Sequence, residues 1–146
     1  MKTFAVIDIE TTGLDRYHDS ISAFGIYIPE KDYYGIFTTK EELEQFLYSI
    51  KSNGIELVCV YQNGKFDTLF VEVQWGIELP LDEDVMLLSY VYDMGGRKSL
   101  KYLANKYFGT PDWDIETKEK GKFTDKMVNY LKQDLYWTWR LFVELS

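Results

Sequence analysis

The sequence predicts an α/β fold in which one mixed sheet is flanked by helices. Apolar runs typical of strands dominate the first part of the chain, strand and helix patterns alternate in the middle, and helical patterns dominate the rest. The chain has 146 residues, of which 46% are hydrophobic and 17% are aromatic, so one domain can bury a substantial core. Because the sequence contains no linker, repeat or low-complexity segment, we expect a single domain over residues 1–146.

Four stretches of the sequence are expected to form strands. They are unbroken apolar runs or stretches of alternating polarity rich in β-branched residues, at residues 2–8, 20–28, 33–37 and 56–61. Pro29 marks a turn between the second and third stretches, which favours a meander. The fourth stretch contains Cys59, the only cysteine, so the chain can form no internal disulfide bond and a buried thiol is expected.

Apolar residues recur at helical spacing in five stretches. Thr39 and Glu42 match a capping box at the start of the first, which should end near Gly54. The others are predicted at about residues 66–75, 84–92, 99–107 and from 124 to the end, with a break at Gly95-Gly96 and a polar loop at 110–122. The residues expected to face the core are Leu69, Phe70 and Val73 in the second helix, and Met127, Leu131, Leu135 and Phe142 in the last.

The net charge of −8 argues against a broad basic surface for nucleic acid. An enzyme that holds a few nucleotides of one strand is still compatible with this charge, because divalent cations would add positive charge at the site. No apolar run is long enough to span a membrane, and Asp8 comes too early for a secretory signal. We therefore expect a cytoplasmic, intracellular protein whose binding to nucleic acid is weak, metal-dependent and sensitive to salt.

Four carboxylates in three separate blocks are the candidate functional residues. Asp8 and Glu10 end the first strand two residues apart, so in an extended chain they share one face. Asp67 follows the fourth strand near a helix N-terminus, and Asp134 lies in the last helix. Clustered acids repel one another unless cations fill the cluster, and a site of oxygen ligands favours Mg²⁺ or Mn²⁺ over zinc. The pattern predicts a divalent-metal site, which is a common means of cleaving phosphodiesters.

Each part of this set also has a purely structural explanation. Asp8 and Glu10 are compatible with a solvated strand end, and Asp67 is compatible with an N-cap or first-turn acid. Tyr130 and Asp134 are spaced i and i+4, so they share a helix face and could form a simple surface hydrogen bond. The functional alternative is that the phenol orients, or helps to deprotonate, a water at the metal site. The order and spacing of the whole set favour the functional explanation.

With these residues, the chain resembles the DEDD 3′–5′ exonucleases of the ribonuclease H-like, or DnaQ-like, superfamily. The blocks similar to the family motifs are residues 8–14 (Asp-Ile-Glu-Thr-Thr-Gly-Leu), 63–67 (Asn-Gly-Lys-Phe-Asp) and 130–134 (Tyr-x-x-x-Asp). The histidine branch of the family places His five residues before the last acid, where this chain has Asn129, so Tyr130 places the resemblance in the tyrosine branch, DEDDy. The resemblance implies a ribonuclease H-like mixed sheet of about five strands, one of them antiparallel.

The resemblance also implies a mechanism, the hydrolysis of the terminal 3′ phosphodiester with two divalent cations, Mg²⁺ or Mn²⁺. It implies that Asp8 bridges both ions, that Glu10 and Asp134 complete the ligands of one, and that Asp67 supports the other. Tyr130 would orient the attacking water, and the product would be a nucleoside 5′-monophosphate.

Substrate contacts follow from the same resemblance. Thr11 and Leu14 would meet the terminal nucleotide, with Leu14 wedged against its base, and Asn63 would touch the adjacent nucleotide. Five lysines are either phosphate contacts or ordinary surface residues, and they are Lys98, Lys101, Lys118, Lys120 and Lys122.

The likeness of residues 84–90 and 99–104 to helices of polymerase proofreading domains makes DNA the expected substrate. The expected activity is trimming of single-stranded or frayed DNA 3′ ends, as proofreading in trans for a partner DNA polymerase. Two alternatives stay open, an RNA-trimming exoribonuclease similar to the ribonuclease D group and a non-catalytic nucleic-acid-binding module. Matched DNA and RNA oligonucleotides would separate the two enzymes, and loss of metal binding would indicate the module.

Overall fold

A five-stranded mixed sheet forms the centre of the protein within the residues that the computed structural model describes, which are 1–92, 99–111, 113 and 122–146. In chain order the elements are β1 (Lys2–Thr11), β2 (Ile21–Ile28), β3 (Tyr33–Phe37), α1 (Lys40–Ser52), β4 (Glu56–Tyr61), α2 (Gly64–Trp75), β5 (Glu83–Asp84), α3 (Val85–Tyr92), α4 (Leu100–Phe108) and α5 (Asp125–Leu145). The predicted break at Gly95-Gly96 and most of the predicted loop at 110–122 lie outside the described residues.

The strands are ordered β3-β2-β1-β4-β5 across the sheet. β1 pairs in parallel with β4, and β4 pairs in parallel with β5. β2 is antiparallel to both of its neighbours, β1 and β3, so it alone runs against the others. The expected mixed sheet with one antiparallel strand is confirmed. β5 was not predicted from periodicity, because a strand of two residues carries no alternation to detect.

Helices cover both faces of the sheet and create two apolar cores. On one face α5 packs over β1 and β2, and its Met127, Leu131, Leu135 and Phe142 are buried as predicted. On the other face α1 and α2 contribute Leu43, Phe70 and Val71. The sheet therefore separates a face covered by α3, α4 and α5 from a face covered by α1 and α2.

Helix caps agree with the local sequence. Thr39 and Glu42 form the predicted capping box at the start of α1, and Thr124 and Ser99 accept backbone N–H bonds at the starts of α5 and α4. One prediction about α2 is wrong, because Val73 is 41% exposed whereas Val71 is buried. The buried face of α2 includes a charged residue, Asp67, next to Phe70 and Val71. Apolar periodicity alone does not identify a buried face that contains an acid.

Gly25 allows α5 to lie close against β2. A Cβ atom at this position would stand 2.9 Å from Cγ of Leu131 and 3.0 Å from Cδ1 of Leu135. Both distances are shorter than the usual contact between carbon atoms, about 3.5–4.0 Å. The missing side chain therefore sets the distance between α5 and the sheet.

No helix among the described residues is both long enough and apolar enough to cross a lipid bilayer.

Candidate functional site

Asp8 and Glu10 lie near the carboxyl end of β1. They are two residues apart in a strand, so both side chains point to the same face of the sheet. On the neighbouring strand Asp8 is paired with Gly25 and Glu10 with Ala23, and the register shifts just after Glu10. The strand continues to Thr11, three residues beyond the predicted end, because the ladder with β2 extends through the acidic motif.

A tight turn between β4 and α2 places Asp67. Asn63 has a left-handed backbone (φ 62°), and α2 begins at the next residue, Gly64, with Asp67 in its first turn. Gly64 has no room for a side chain, since a Cβ would lie 2.6 Å from Cγ of Tyr61 and 2.5 Å from Cδ1 of Leu81. This close turn carries Asp67 to a buried position in which it is only 3% exposed.

Asp84 in β5 holds this turn and was not identified from the sequence. Its Oδ1 accepts N–H bonds from Asn63 (3.0 Å) and Met86 (3.0 Å), and its Oδ2 accepts the N–H of Gly64 (2.9 Å). These bonds to three backbone donors satisfy a buried carboxylate that would otherwise be costly. Asp84 therefore has a structural role beside the site. From the sequence, Asp84 was expected only as the first residue of a helix, and nothing there indicated that it bonds to the β4–α2 turn.

Tyr130 and Asp134 lie one turn apart on α5, as their spacing predicts. Asp134 is 9% exposed, and its Oδ1 accepts the indole N–H of Trp113 at 2.7 Å. Lys101 of α4 donates from Nζ to the Tyr130 hydroxyl at 2.8 Å, and the same nitrogen lies 4.6 Å from the centroid of the tyrosine ring. The phenol oxygen thus accepts a hydrogen bond from the ammonium group of Lys101, one helical turn from Asp134.

A cleft of about 250 Å³ opens beside Tyr130 and Asp134, between α4, α5 and the part of β1 that carries Asp8. Two of the four predicted acids contribute to its walls, together with the predicted tyrosine and the lysine that contacts it. The lining residues are Asp8, Gln62, Ser99, Leu100, Lys101, Tyr130, Asp134 and Thr138. The cleft gives solvent and small ligands access to Asp8 and Asp134.

The acids influence one another strongly. Burial raises the pKa of Asp8 well above its usual value, and the charges of Asp134, Asp67 and Glu10 raise it further. Burial also raises the pKa of Asp67 well above its usual value, with further contributions from Asp84, Asp134 and Glu10. The charges of the other three predicted acids all act on Asp8, so carboxylates from β1, α2 and α5 lie near one another.

Asp8 and Asp134 share a hydrogen bond between their side chains, so one of the two must carry a proton. Burial raises the pKa of Asp134, whereas its bonds with Asp8 and Trp113 and the charge of Lys101 lower it. The bond to Asp134 raises the pKa of Asp8 instead.

The residues fit divalent cations by their chemistry. Oδ2 of Asp67 is buried and has no hydrogen-bond partner among the described residues, which is costly for a carboxylate unless a cation balances it. The donor set consists of oxygens, as Mg²⁺ and Mn²⁺ prefer. Within the described part of the chain, however, no three acidic, histidine or cysteine side chains stand close enough to enclose an ion.

Two of the predicted substrate contacts, Thr11 and Leu14, lie at the end of β1 and in the loop that follows it. Leu14 is 85% exposed, which is unusual for a leucine, whereas Thr11 is half-buried and donates from Oγ1 to the Gly13 carbonyl at 2.6 Å. The loop that carries Leu14 is organised by Asp19, which accepts bonds from Thr12 (3.2 Å) and from the Asp15 N–H (2.9 Å).

The remaining predicted contacts are not all described. The Asn63 side chain is exposed at the β4–α2 turn. Of the five lysines, Lys101 lines the cleft and Lys122 is exposed, while Lys98, Lys118 and Lys120 lie outside the described residues.

Comparisons with known proteins agree on the fold. The model of the RNase H superfamily matches residues 5–146. Among solved structures, Brucella melitensis NrnC with bound Mg²⁺ is similar with a TM-score of 0.75 and 16% identity, covering 99% of this chain and 72% of that one. NrnC has also been solved bound to pGG. A search of curated proteins finds no match.

Two further solved structures are longer than this chain. Escherichia coli RNase D, an exoribonuclease involved in structured RNA processing, has a TM-score of 0.69 and 13% identity, covering 98% of this chain and 38% of that one. The catalytic core of RRP6 from Trypanosoma brucei has a TM-score of 0.66 and 15% identity, with coverages of 99% and 40%. At these identities the likeness is one of fold.

Proposed function

Because this chain belongs to the RNase H superfamily, we propose that it is a 3′–5′ exonuclease that depends on divalent cations. The observation that carries the proposal is the convergence of four carboxylates from β1, α2 and α5, including the buried and unbonded Oδ2 of Asp67. A folded protein gains nothing from such mutual repulsion, so the arrangement favours a role in holding cations.

The acids would divide the ligand roles as the motif resemblance implies. Asp8 lies at the centre of the group and would contact both cations, Glu10 and Asp134 would complete one, and Asp67 would support the second. When bound, Mg²⁺ or Mn²⁺ supplies the Lewis acidity that activates water and balances the charge on the scissile phosphate. In this proposal the role of the chain is to orient these oxygens and the end of the substrate strand.

Tyr130 would act as the residue that orients the attacking water, which is the feature of the DEDDy branch. Tyr130 lines the same cleft as Asp8 and Asp134. Lys101 donates to the tyrosine oxygen, so the phenol accepts in that bond and keeps its own proton. The positive charge of Lys101 would also face the phosphate of a strand entering the cleft.

RNA is the better supported substrate. The structural neighbours include an exoribonuclease, RNase D, and NrnC bound to pGG, whereas a likeness to DNA polymerase proofreading domains rests on the sequence motifs alone. We therefore propose short, single-stranded RNA 3′ ends as the substrate, with Leu14, Thr11 and Asn63 contacting the last nucleotides. Trimming of DNA ends remains a prediction that the same assay tests, whereas proofreading in trans remains a prediction whose test needs a polymerase.

The test is a trimming assay with 5′-labelled RNA and DNA oligonucleotides of matched sequence, with Mg²⁺, with Mn²⁺ and with a chelator. We expect stepwise shortening from the 3′ end with release of nucleoside 5′-monophosphates, faster for RNA and absent with the chelator. A blocked 3′ end serves as the substrate control. Faster loss of DNA would restore the DNA prediction.

Asp134→Asn is the variant that tests the role of the acids, since it preserves the size of the side chain and removes one charge. We expect it to lose trimming while its unfolding temperature stays at or above that of the wild type, because mutual repulsion is reduced. Trimming at the wild-type rate in this variant, or trimming that survives the chelator, would contradict the proposed function.

A further inference from the structure

Trp113 contacts the acidic group directly, although it lies in a segment predicted to be a polar loop. Its indole Nε1 donates to Oδ1 of Asp134 at 2.7 Å. The indole nitrogen is a donor without acceptor capacity, so this bond has one direction and needs an ionised or otherwise electron-rich oxygen. Trp113 itself lies outside all three motif blocks.

The position of Trp113 is supported by packing on two helices. Its ring stacks on Trp137 of α5, with centroids 6.1 Å apart and planes inclined by 26°. Trp137 in turn lies 5.6 Å from Phe108 at the end of α4. The Arg140 guanidinium covers this group, 4.8 Å from the Phe108 ring and 5.9 Å from the Trp137 ring. The donor that reaches Asp134 is thus held by a stack of aromatic rings and is not a free loop side chain.

The bond restrains how the Asp134 carboxylate can rotate. Oδ1 is occupied by the Trp113 N–H, and the carboxylate also has a side-chain bond with Asp8. Thr138 on the same helix donates its hydroxyl proton to the backbone carbonyl of Asp134 at 2.7 Å and not to the carboxylate. Oδ2 is therefore the oxygen free of the Trp113 bond, and its direction is set by Trp113.

We propose that Trp113 is a positioning residue that holds Asp134 with Oδ2 directed at the cation site. The inference rests on the proposed function, since Asp134 has a ligand role only in a metal-dependent enzyme. Groups that bond to metal-ligating residues commonly set the orientation of the ligand, and their loss typically weakens metal affinity or activity by about 10- to 100-fold. Trp113 is neutral, so it would orient Asp134 without adding a charge that competes with the cation.

The test compares Trp113→Phe with Trp139→Phe in the full chain. Phenylalanine at 113 keeps a ring against Trp137 but removes the N–H donor. Trp139 is on α5, the helix that carries Asp134, and packs against Phe4 (5.5 Å) and Phe142 (5.7 Å), away from the acids, so it controls for losing an indole. Mn²⁺ affinity is measured by calorimetry without substrate, and trimming kinetics are measured separately.

We expect Trp113→Phe to bind Mn²⁺ about 10- to 100-fold more weakly than the wild type. Its kcat should fall by a similar factor while its KM for the oligonucleotide stays the same, and Trp139→Phe should retain the wild-type affinity and kcat. Trp113→His, which restores a ring N–H at neutral pH, should recover part of the affinity. Wild-type Mn²⁺ affinity in Trp113→Phe, or a loss that Trp113→His does not recover at all, would overturn the inference.

The two proposals fail in different ways. A wild-type protein that binds Mn²⁺ but trims neither RNA nor DNA refutes the exonuclease, while the affinities of the three variants still decide the role of Trp113. Normal trimming by the wild type, together with normal affinity and kcat in Trp113→Phe, refutes the role of Trp113 and leaves the exonuclease intact.

Discussion

Replacing Gly25 with alanine tests whether the distance between α5 and β2 sets the geometry of the acidic group. The new Cβ would lie 2.9 Å from Cγ of Leu131 and 3.0 Å from Cδ1 of Leu135. Normal carbon contacts are about 3.5–4.0 Å, so α5 or these two side chains must retreat by about 0.5–1 Å. Asp134 lies between the two leucines on α5, and Gly25 is paired with Asp8 in the sheet. The retreat therefore separates Asp134 from Asp8.

Gly25→Ala should affect both stability and activity. Overpacking of this kind costs about 1–3 kcal/mol, which corresponds to a fall of about 3–10 °C in the unfolding temperature for a domain of this size. A displacement of about 1 Å at a catalytic group can lower the rate by about 100-fold. We expect that loss in kcat at a temperature at which the variant is fully folded, measured with the 5′-labelled oligonucleotide.

Gly35→Ala is the matched control in β3, the edge strand far from the acids. A Cβ there would lie 2.8 Å from the Tyr33 hydroxyl and 3.0 Å from Cγ2 of Ile26, and the Tyr33 ring is partly exposed and can move away. We expect a smaller loss of stability than in Gly25→Ala and an unchanged kcat. A wild-type kcat in Gly25→Ala, or an equal loss of kcat in Gly35→Ala, would refute the reasoning.

Three further predictions concern the acids, the turn and the tyrosine. Folding raises the pKa of Asp8 and Asp134 above the usual value of 3.8. Above pH 3.8 the folded state therefore binds more protons than the unfolded state. The metal-free protein should lose stability as the pH rises from 3.8 through the raised pKa values of the two acids. Melting curves should show this trend, Asp8→Asn and added Mn²⁺ should each weaken it, and a trend identical in the wild type and in Asp8→Asn would refute it. Asp84→Ala should cost about 3–5 kcal/mol in urea unfolding, because three backbone N–H groups lose a charged acceptor; a loss below about 1 kcal/mol would contradict that role. Tyr130→Phe should lower kcat by about 100-fold and leave Mn²⁺ affinity unchanged; a full-rate variant would show that the tyrosine is structural.

The sheet and its helices were largely predictable because local patterns and tertiary packing agree. The third and fourth strands have the predicted bounds, and the capping box at Thr39 marks the start of α1. Apolar spacing identified the buried face of α5 correctly. The pattern misled only for α2, where a buried acid, Asp67, occupies the inner stripe and displaces the apparent apolar face.

The candidate site was predictable in its motif residues and not in their supports. Asp8, Asp67 and Asp134 could be chosen from the sequence because they follow strands or lie on an amphipathic helix. Asp84 acts through hydrogen bonds to the β4–α2 turn, and Trp113 acts through one hydrogen bond to Asp134. Bonds between residues this distant in sequence leave no periodic pattern. An isolated tryptophan in a polar segment was the one available signal for Trp113.

The separation of the carboxylates also could not be read from the sequence. The motif predicts the ligand set, whereas the balance of repulsion, the proton shared by Asp8 and Asp134, and cation binding decides how closely the side chains approach. The central claim is that a cation changes this balance.

The most direct measurement of that claim is anomalous scattering from crystals of the protein soaked with Mn²⁺. We predict two peaks between Asp8, Glu10, Asp67 and Asp134, with Oδ2 of Asp67 directed toward one of them. The peaks should be lost or reduced in Asp134→Asn crystals prepared in the same way. Mn²⁺ bound only elsewhere, or an acidic group that remains without metal at saturating Mn²⁺, would contradict the account.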